Sequence, residues 1–437
     1  MQRVLRGAIP WRVRVSRGGS GQRNGHVALQ NENTRFAARS NKSIALIHNK
    51  QEDAMSEEIR KPVAQDAAKA SRRKFLKGAA AVGTGAAITG FPMISVAQSP
   101  IVIKMQGAWG PKDIFNEMAE EYVKRVNEMA GGRLKIEYLV AGAVVKPFEV
   151  TDAVSKGVLD AGHSVPVYWY GKSKVASLFG SGPINGSDAH QTLAWIQRGG
   201  GQELYNELLG KIGLDIVGFF AMPMPTQPLG WFKKPIKGAE ELKGLKYRTV
   251  GLAADLMQEM GVRVTQLPGG EIVPAMERGV IDSFEFNNPT SDLRFGAQDV
   301  AKNYMMGSYH QAMEFFEIIF NKKKYEALPA DLKAILRYAA EAASSSNWWT
   351  AMDNYSRDLQ DLINKHRVNV IRTPKPIMDA QLKAWDVITK KLSDEDPFFK
   401  KVVESQRAWS KRVAFYWFFN EADYKAGYEH IHGKLPF

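Results

Sequence analysis

From residue 98 to about 286, apolar residues switch between the strand period and the helix period. From about 322 onward only the helix period persists. Ile101-Val102-Ile103-Lys104-Met105 is a short apolar run and reads as a strand. Ile114, Phe115, Met118, Tyr122, Val126 and Met129 recur at helical spacing across 112–130, and Gly131-Gly132 stops that helix. Leu134, Ile136, Tyr138 and Val140 alternate as a second strand. A helix over 147–157 and a strand over 158–165 complete a β-α-β-α-β order. The same order returns from Leu245, with a strand at 245–250 and a helix at 252–260 ended by Gly261. Val262, Val264 and Leu267 mark the next strand, followed by a helix at 270–278 and a strand at 280–286. Between the two units, 188–211 reads as helix and 214–220 as strand. Helices are predicted over 329–366, 376–392 and 396–425.

One phrase occurs in both units. Ala153-Val154-Ser155-Lys156-Gly157-Val158-Leu159-Asp160-Ala161 is matched by Ala275-Met276-Glu277-Arg278-Gly279-Val280-Ile281-Asp282-Ser283. In each, a helix ends on a basic residue and Gly, and an apolar pair and an Asp lead into a strand. The separation is too long for a solenoid repeat. Two similar α/β lobes with a cleft between them account for it, and clefts between domains are where small ligands bind. The expected division is 98–222 as lobe 1, with a return segment at about 287–325. Lobe 2 is expected at 223–286, with later helices at about 326–395. The aromatic segment 396–437 is a candidate dimerisation helix, with packing on its own lobes as the alternative.

Charge changes the picture only at the front of the chain. The 437 residues carry a formal net charge of +13. Residues 1–97 hold 17 Lys/Arg and 6 Asp/Glu, whereas 98–437 hold 42 and 40. The nearly neutral remainder offers no general attraction to phosphate backbones, so no nucleic-acid partner is expected. Ser71-Arg72-Arg73-Lys74-Phe75-Leu76-Lys77 is a twin-arginine export motif, followed by an uncharged Gly/Ala-rich stretch from Gly78 to Ala97. Ser95-Val96-Ala97 places small residues for a signal peptidase, with the cut after Ala97. An uncleaved anchor is the alternative, although Gly83, Gly85, Gly90 and Pro92 make a poor spanning helix. Residues 1–54 show no apolar period, and Met55 is a plausible true start. The chain has no cysteine, which removes thiolate nucleophiles and Cys-held metal clusters.

Catalytic motifs are missing after residue 97. There is no G-x-S-x-G elbow, H-E-x-x-H, P-loop or G-x-G-x-x-G following a strand. Recognition without turnover is the expectation. A twin-arginine-exported enzyme with an unrecognised cofactor site and a scaffold protein stay open.

The two lobes, the phrase Leu242-Lys243-Gly244-Leu245-Lys246-Tyr247-Arg248, the Gly-Val-(Leu/Ile)-Asp junctions and the aromatic tail resemble the solute receptors of tripartite ATP-independent periplasmic (TRAP) transporters. The resemblance covers about residues 100–425. It implies an α/β, two-lobed periplasmic-binding-protein-like (type II) fold with a hinge and a helical C-terminal extension. It also implies a periplasmic location and a membrane permease as partner. Gln227 before Gly230-Trp231-Phe232, together with Glu285, is similar to the branch that binds 2-oxo acids and other monocarboxylates through a cation, Na⁺ or Ca²⁺. A dicarboxylate ligand is the alternative within the family.

The implied ligands of the cation are the side chains of Gln227 and Glu285 and the backbone carbonyl of Phe286. Oxygen donors suit a hard cation. The branch usually carries Trp at that last position. Arg248 ends a strand, where its planar fork can meet a carboxylate bidentately. A direct Arg248–Glu285 pair without metal remains the alternative. Tyr168 and Tyr170 are candidates for an aromatic wall and a hydroxyl, with simple lobe packing as the alternative. The Asn that related receptors often carry just before the Gln is absent from Ala221–Thr226. Thr226 is the candidate substitute, with a more apolar pocket for a longer or branched monocarboxylate as the alternative, and Asn287 and Asn288 are further candidates at the cleft edge.

Overall fold

A computed structural model describes residues 99–436. The leader, the twin-arginine motif and the expected cut after Ala97 lie outside the described residues. Eleven strands among the described residues form two sheets. They are β1 (Ile101–Gly107), β2 (Leu134–Leu139), β3 (Ala161–Ser164), β4 (Ile216–Met224), β5 (Gly230–Phe232), β6 (Lys246–Arg248), β7 (Arg263–Thr265), β8 (Ser283–Phe284), β9 (Asn303–Met306), β10 (Glu314–Asn321) and β11 (Asn369–Arg372). The first sheet has the order β2-β1-β3-β10-β4 and the second β11-β9-β5-β8-β6-β7. In each, three parallel strands carry the βαβ order read from the sequence (β2-β1-β3 and β7-β6-β8), extended by antiparallel partners.

The repeated phrase folds the same way twice, bond for bond. Gly157 and Gly279 take φ of 74° and 70°. Val158 N–H donates to the Ala153 carbonyl, and Val280 N–H to that of Ala275. Asp160 N–H donates to the Lys104 carbonyl of β1, and Asp282 N–H to that of Lys246 in β6. The apolar pair divides its work in both copies. Leu159 and Ile281 are buried, while Val158 and Val280 face water.

Several elements are shorter than expected. The helices over 147–157 and 270–278 each begin as a tight 3-10 turn, Pro147–Glu149 and Gly269–Glu271, and continue as Val150–Ser155 and Ile272–Glu277. The stretch 188–211 breaks at Gly200, whose φ of 87° no helix accepts, into Ala189–Arg198 and Gly201–Lys211. The expected strands 245–250 and 280–286 reduce to β6 and β8 because the chain leaves the ladder at Thr249 and Glu285 to enter the cleft.

The expected lobe boundaries need two corrections. The return segment 287–325 is divided, with β9 joining the second sheet and β10 the first. Among the later helices, the long helix Ala330–Asn364 packs on β4 and on helix Ile114–Met129, which belong to the first lobe. Helix Lys375–Glu395 packs on the second-lobe helix Leu252–Glu259. Neither outcome is set by apolar period, which reports a buried face and not its partner.

The chain crosses between the sheets at 225–229, again at 307–313, and a third time from β10 to β11 by way of the long helix Ala330–Asn364. The first two crossings touch, since Gln227 N–H donates to the Gln311 carbonyl at 3.2 Å. Two such segments running side by side between lobes make a hinge. The last long helix, Pro397–Asn420, buries Phe398, Phe399, Val402 and Val403 against first-lobe helices and then leaves Phe415–Phe419 exposed. A separate helix, Tyr424–His432, follows it.

Candidate functional site

Arg248 and Glu285 sit where β6 and β8 end, at the carboxyl edge of parallel strands. Open α/β sheets bind ligands at that edge. Both side chains are buried, at 1% and 0% exposure. Arg248 Nη1 donates to Glu285 Oε1 at 2.9 Å and to the Glu285 carbonyl at 2.8 Å, and Nε donates to the Leu267 carbonyl at 2.8 Å. The other carboxylate oxygen, Glu285 Oε2, makes no hydrogen bond. Burial pushes this carboxyl up to about 8, against the pull of Arg248 and of the Thr249 hydroxyl. A cation or a well-placed donor offsets such a penalty.

Gln227 lies in the first hinge segment and is buried. Its amide N–H donates to Glu314 Oε2, and its carbonyl oxygen, Oε1, makes no hydrogen bond. Glu314 opens β10 and is buried with Ser181, Gln227 and Asn287 all donating to it. Burial raises its carboxyl, and those three donors and Arg248 oppose the shift. Arg248, Gln227, Glu314, Asn287, Gln311, Tyr168, Trp109 and Phe286 line one cavity of about 10 Å³. The Gln311 side-chain oxygen is also buried without a partner.

The aromatic wall has fixed supports. Trp109 donates to His163 Nδ1 at 2.7 Å. Burial holds His163 down at about 3, so it stays neutral and Nδ1 remains an acceptor. Tyr168 packs between Trp109 and Phe148, at ring distances of 5.7 and 4.7 Å. The lobes meet tightly here. Gly251, at φ 64°, lies so near Val167 that a Cβ would overlap its side chain.

Three candidates go elsewhere. Tyr170 donates to Asp255 of the second lobe, which Lys174 also pairs, so it joins the lobes beside the cavity. Thr226 faces solvent, and its hydroxyl donates to the Ala312 carbonyl at 3.2 Å in the other hinge segment. Asn288 caps helix Pro289–Phe295 through Ser291 N–H at 2.9 Å and donates to the Asn287 side chain. It therefore orients Asn287, which is the one that reaches Glu314.

Glu314, Gln311 and Trp109 were not anticipated. A signal for Glu314 existed, because it is a carboxylate in the apolar run Glu314-Phe315-Phe316-Glu317-Ile318-Ile319. That is the argument that singled out Glu285.

Two buried oxygens, Gln227 Oε1 and Glu285 Oε2, lack hydrogen bonds, and oxygens of this kind suit a hard cation. No cluster of three His, Cys, Asp or Glu that could hold a metal occurs among the described residues. A set with one carboxylate, one amide and one main-chain carbonyl does not need one.

The family model of the bacterial extracellular solute-binding proteins, family 7, matches residues 105–396. The chain belongs to this family. Family 7 chains are the solute receptors of TRAP transporters, and this chain is a TRAP solute receptor with the two-lobed periplasmic-binding-protein fold. Such receptors work with a membrane permease. A monocarboxylate 2-oxoacid-binding periplasmic protein of Nostoc is 32% identical over 325 residues, 74% of this chain and 87% of its own length. A TRAP receptor of Bordetella bronchiseptica, a dimer with calcium and picolinate at its active site, has a TM-score of 0.72 at 28% identity, covering 76% of this chain and 98% of that one. A receptor of Pseudoalteromonas atlantica with bound sodium and pyruvate has a TM-score of 0.70 at 30% identity, covering 74% and 97%.

Proposed function

We propose that this receptor captures a monocarboxylate, most simply a 2-oxo acid, together with Na⁺ or Ca²⁺, and delivers it to its membrane permease. The observation that carries the reading is the buried Arg248 facing Glu285 and Gln227, each with an oxygen that makes no hydrogen bond. Arg248 neutralises the ligand carboxylate, while Gln227, Glu285 and the Phe286 carbonyl hold the cation. A hard cation there supplies positive charge to the ligand oxygens. Asn287, Gln311 and Tyr168 offer polar atoms along the same wall. Support comes from the Nostoc relative and the two solved receptors, whose ligands are small carboxylates or 2-oxo acids.

Export by the twin-arginine pathway to the periplasm belongs to the same reading and rests on Ser71–Lys77 and Ser95-Val96-Ala97. Self-association through Pro397–Asn420 belongs to it as well, since Phe418 and Phe419 are 66% and 83% exposed. Sedimentation of the wild type and of a chain ended at residue 414 checks the latter.

Calorimetry with pyruvate tests the site. Arg248→Lys keeps the charge beside Glu285 but loses the fork. Affinity should fall roughly 10- to 100-fold, the cost of a lost charge-assisted hydrogen bond. Unchanged binding removes Arg248 as the anchor. Dialysis into Na⁺-free buffer that holds a Ca²⁺ chelator should abolish binding, and adding Na⁺ or Ca²⁺ back should restore it. Undiminished affinity in the Na⁺-free, chelated buffer removes the cation.

A further inference from the structure

The cleft widens outward from the buried cavity. Beyond Trp109 and Phe286 lies an open chamber of about 420 Å³, against about 10 Å³ for the cavity beside Arg248. Trp109 and Phe286 line both spaces, and no other residue does, so these two rings are the partition. The chamber walls come from loops at the carboxyl ends of β1 and β2 in one lobe and of β7 and β8 in the other. Ala108, Pro111 and Pro147 face Pro268 and Phe295 across it. These walls are mostly apolar.

The position of the partition is set by its neighbours. The Phe286 ring meets Phe295 edge-on at 5.3 Å and Phe115 at 6.3 Å. It lies against Gly269, where any Cβ would overlap the ring. The Arg248 guanidinium sits 5.7 Å from the ring centre on the inner side. A cavity of about 10 Å³ holds roughly one water. An acid larger than its own carboxylate therefore needs adjoining volume, and the chamber is the large space that adjoins.

We propose that this chamber is a second compartment of the ligand site, which receives the apolar tail of a monocarboxylate. The inference rests on the reading of Arg248 as carboxylate anchor. The class it selects is aliphatic or aryl 2-oxo acids of about five carbons or more, with the tail passing between Trp109 and Phe286. Charged side chains in the lining have both signs: Lys112, Lys146 and Glu271 are exposed, while the part-buried Arg294 already pairs with Glu117 at 2.6 Å and Asp113 accepts from Ser291 at 2.8 Å. A second carboxylate on the tail finds no unengaged buried cation there, and a neutral tail gains apolar burial. Each buried methylene tightens binding by about fourfold.

The test is calorimetry of the cation-loaded receptor with pyruvate, 2-oxobutyrate, 2-oxopentanoate, 2-oxohexanoate, phenylpyruvate and 2-oxoglutarate. Affinity should climb along the straight-chain series, and phenylpyruvate should exceed pyruvate. Ala141→Trp, which fills the chamber from the β2 side, should reduce the ratio of 2-oxohexanoate to pyruvate affinity by tenfold or more. Affinities that ignore tail length, a preference for 2-oxoglutarate, or an unchanged ratio in Ala141→Trp would each overturn the compartment while leaving the carboxylate anchor standing. Absence of binding to every acid, pyruvate included, would instead overturn the anchor on which it rests.

Discussion

Gln227 in the hinge donates its amide N–H to Glu314 in the first sheet, and that bond turns the Gln227 carbonyl oxygen away from Glu314 with no hydrogen bond of its own. The two residues are 87 positions apart. Glu314 accepts from Ser181, Gln227 and Asn287 together, and as an acceptor it selects the amide orientation that leaves the Gln227 oxygen free.

Glu314→Gln should therefore weaken cation binding without unfolding the receptor. A Gln at 314 can donate as well as accept, so it no longer excludes the flipped amide at Gln227. Residues that orient metal ligands typically contribute 10- to 100-fold in affinity, and a loss of roughly that size is expected. A calcium titration at fixed pyruvate measures it, with circular dichroism as the check on folding. Wild-type cation affinity in the variant would dismiss the orienting role.

Tyr170 joins the lobes through Asp255. Tyr170→Phe should favour the open form by about 1 kcal/mol, the net worth of one hydrogen bond. Because the hydroxyl meets protein and not ligand, the loss should be the same for every acid tested and should appear as faster ligand release. Stopped-flow dissociation with two different acids checks this. A loss that depends on the acid would place the hydroxyl on the ligand.

Glu317 is buried beneath the site and accepts hydrogen bonds from Trp169 at 2.7 Å and Tyr205 at 2.8 Å. Burial raises its carboxyl from 4.5 to about 7. The folded chain thus holds this proton more tightly than the unfolded one. The stability it contributes is full below pH 4.5 and is lost as pH rises through about 7. Gln at this position has no proton to lose. The stability difference between Glu317→Gln and the wild type should therefore shift by ~3 kcal/mol in the variant's favour between pH 5 and pH 8. Asp113 and Asp292, which burial raises to about 6 and 7, titrate alike in both proteins and cancel. Urea unfolding across that range, without ligand or cation, reads the shift. A constant difference would mean that Glu317 titrates as an ordinary carboxyl.

Legibility in the sequence followed contact range. Helix Ile114–Met129 was readable because its buried Ile114, Phe115, Met118, Tyr122 and Val126 recur every three or four residues, and the side chain of Asp113 caps it. Arg248 stood out by its place in the family motif Leu242–Arg248, and Glu285 as a carboxylate in an apolar run. The strand β5 was too short to show a period, at three residues. Tyr168 and Gln227 line the cavity, while their near neighbours Tyr170 and Thr226 bond to protein beside it. Within a tight turn or a hinge, a shift of one or two residues reverses the side-chain direction.

The sequence by itself determined two βαβ units, the paired Gly-Val-(Leu/Ile)-Asp junctions, and a guanidinium and a carboxylate at matching strand ends. Those features depend on backbone periods and local capping, which neighbouring residues decide. Only the tertiary structure decided that β9 and β11 join the second sheet and β10 the first, that Glu314 grips Gln227, and that Trp109 and Phe286 divide the cleft. Those contacts join residues far apart in the chain. They are selected by how the two hinge crossings direct each segment, and apolar period carries no record of that direction.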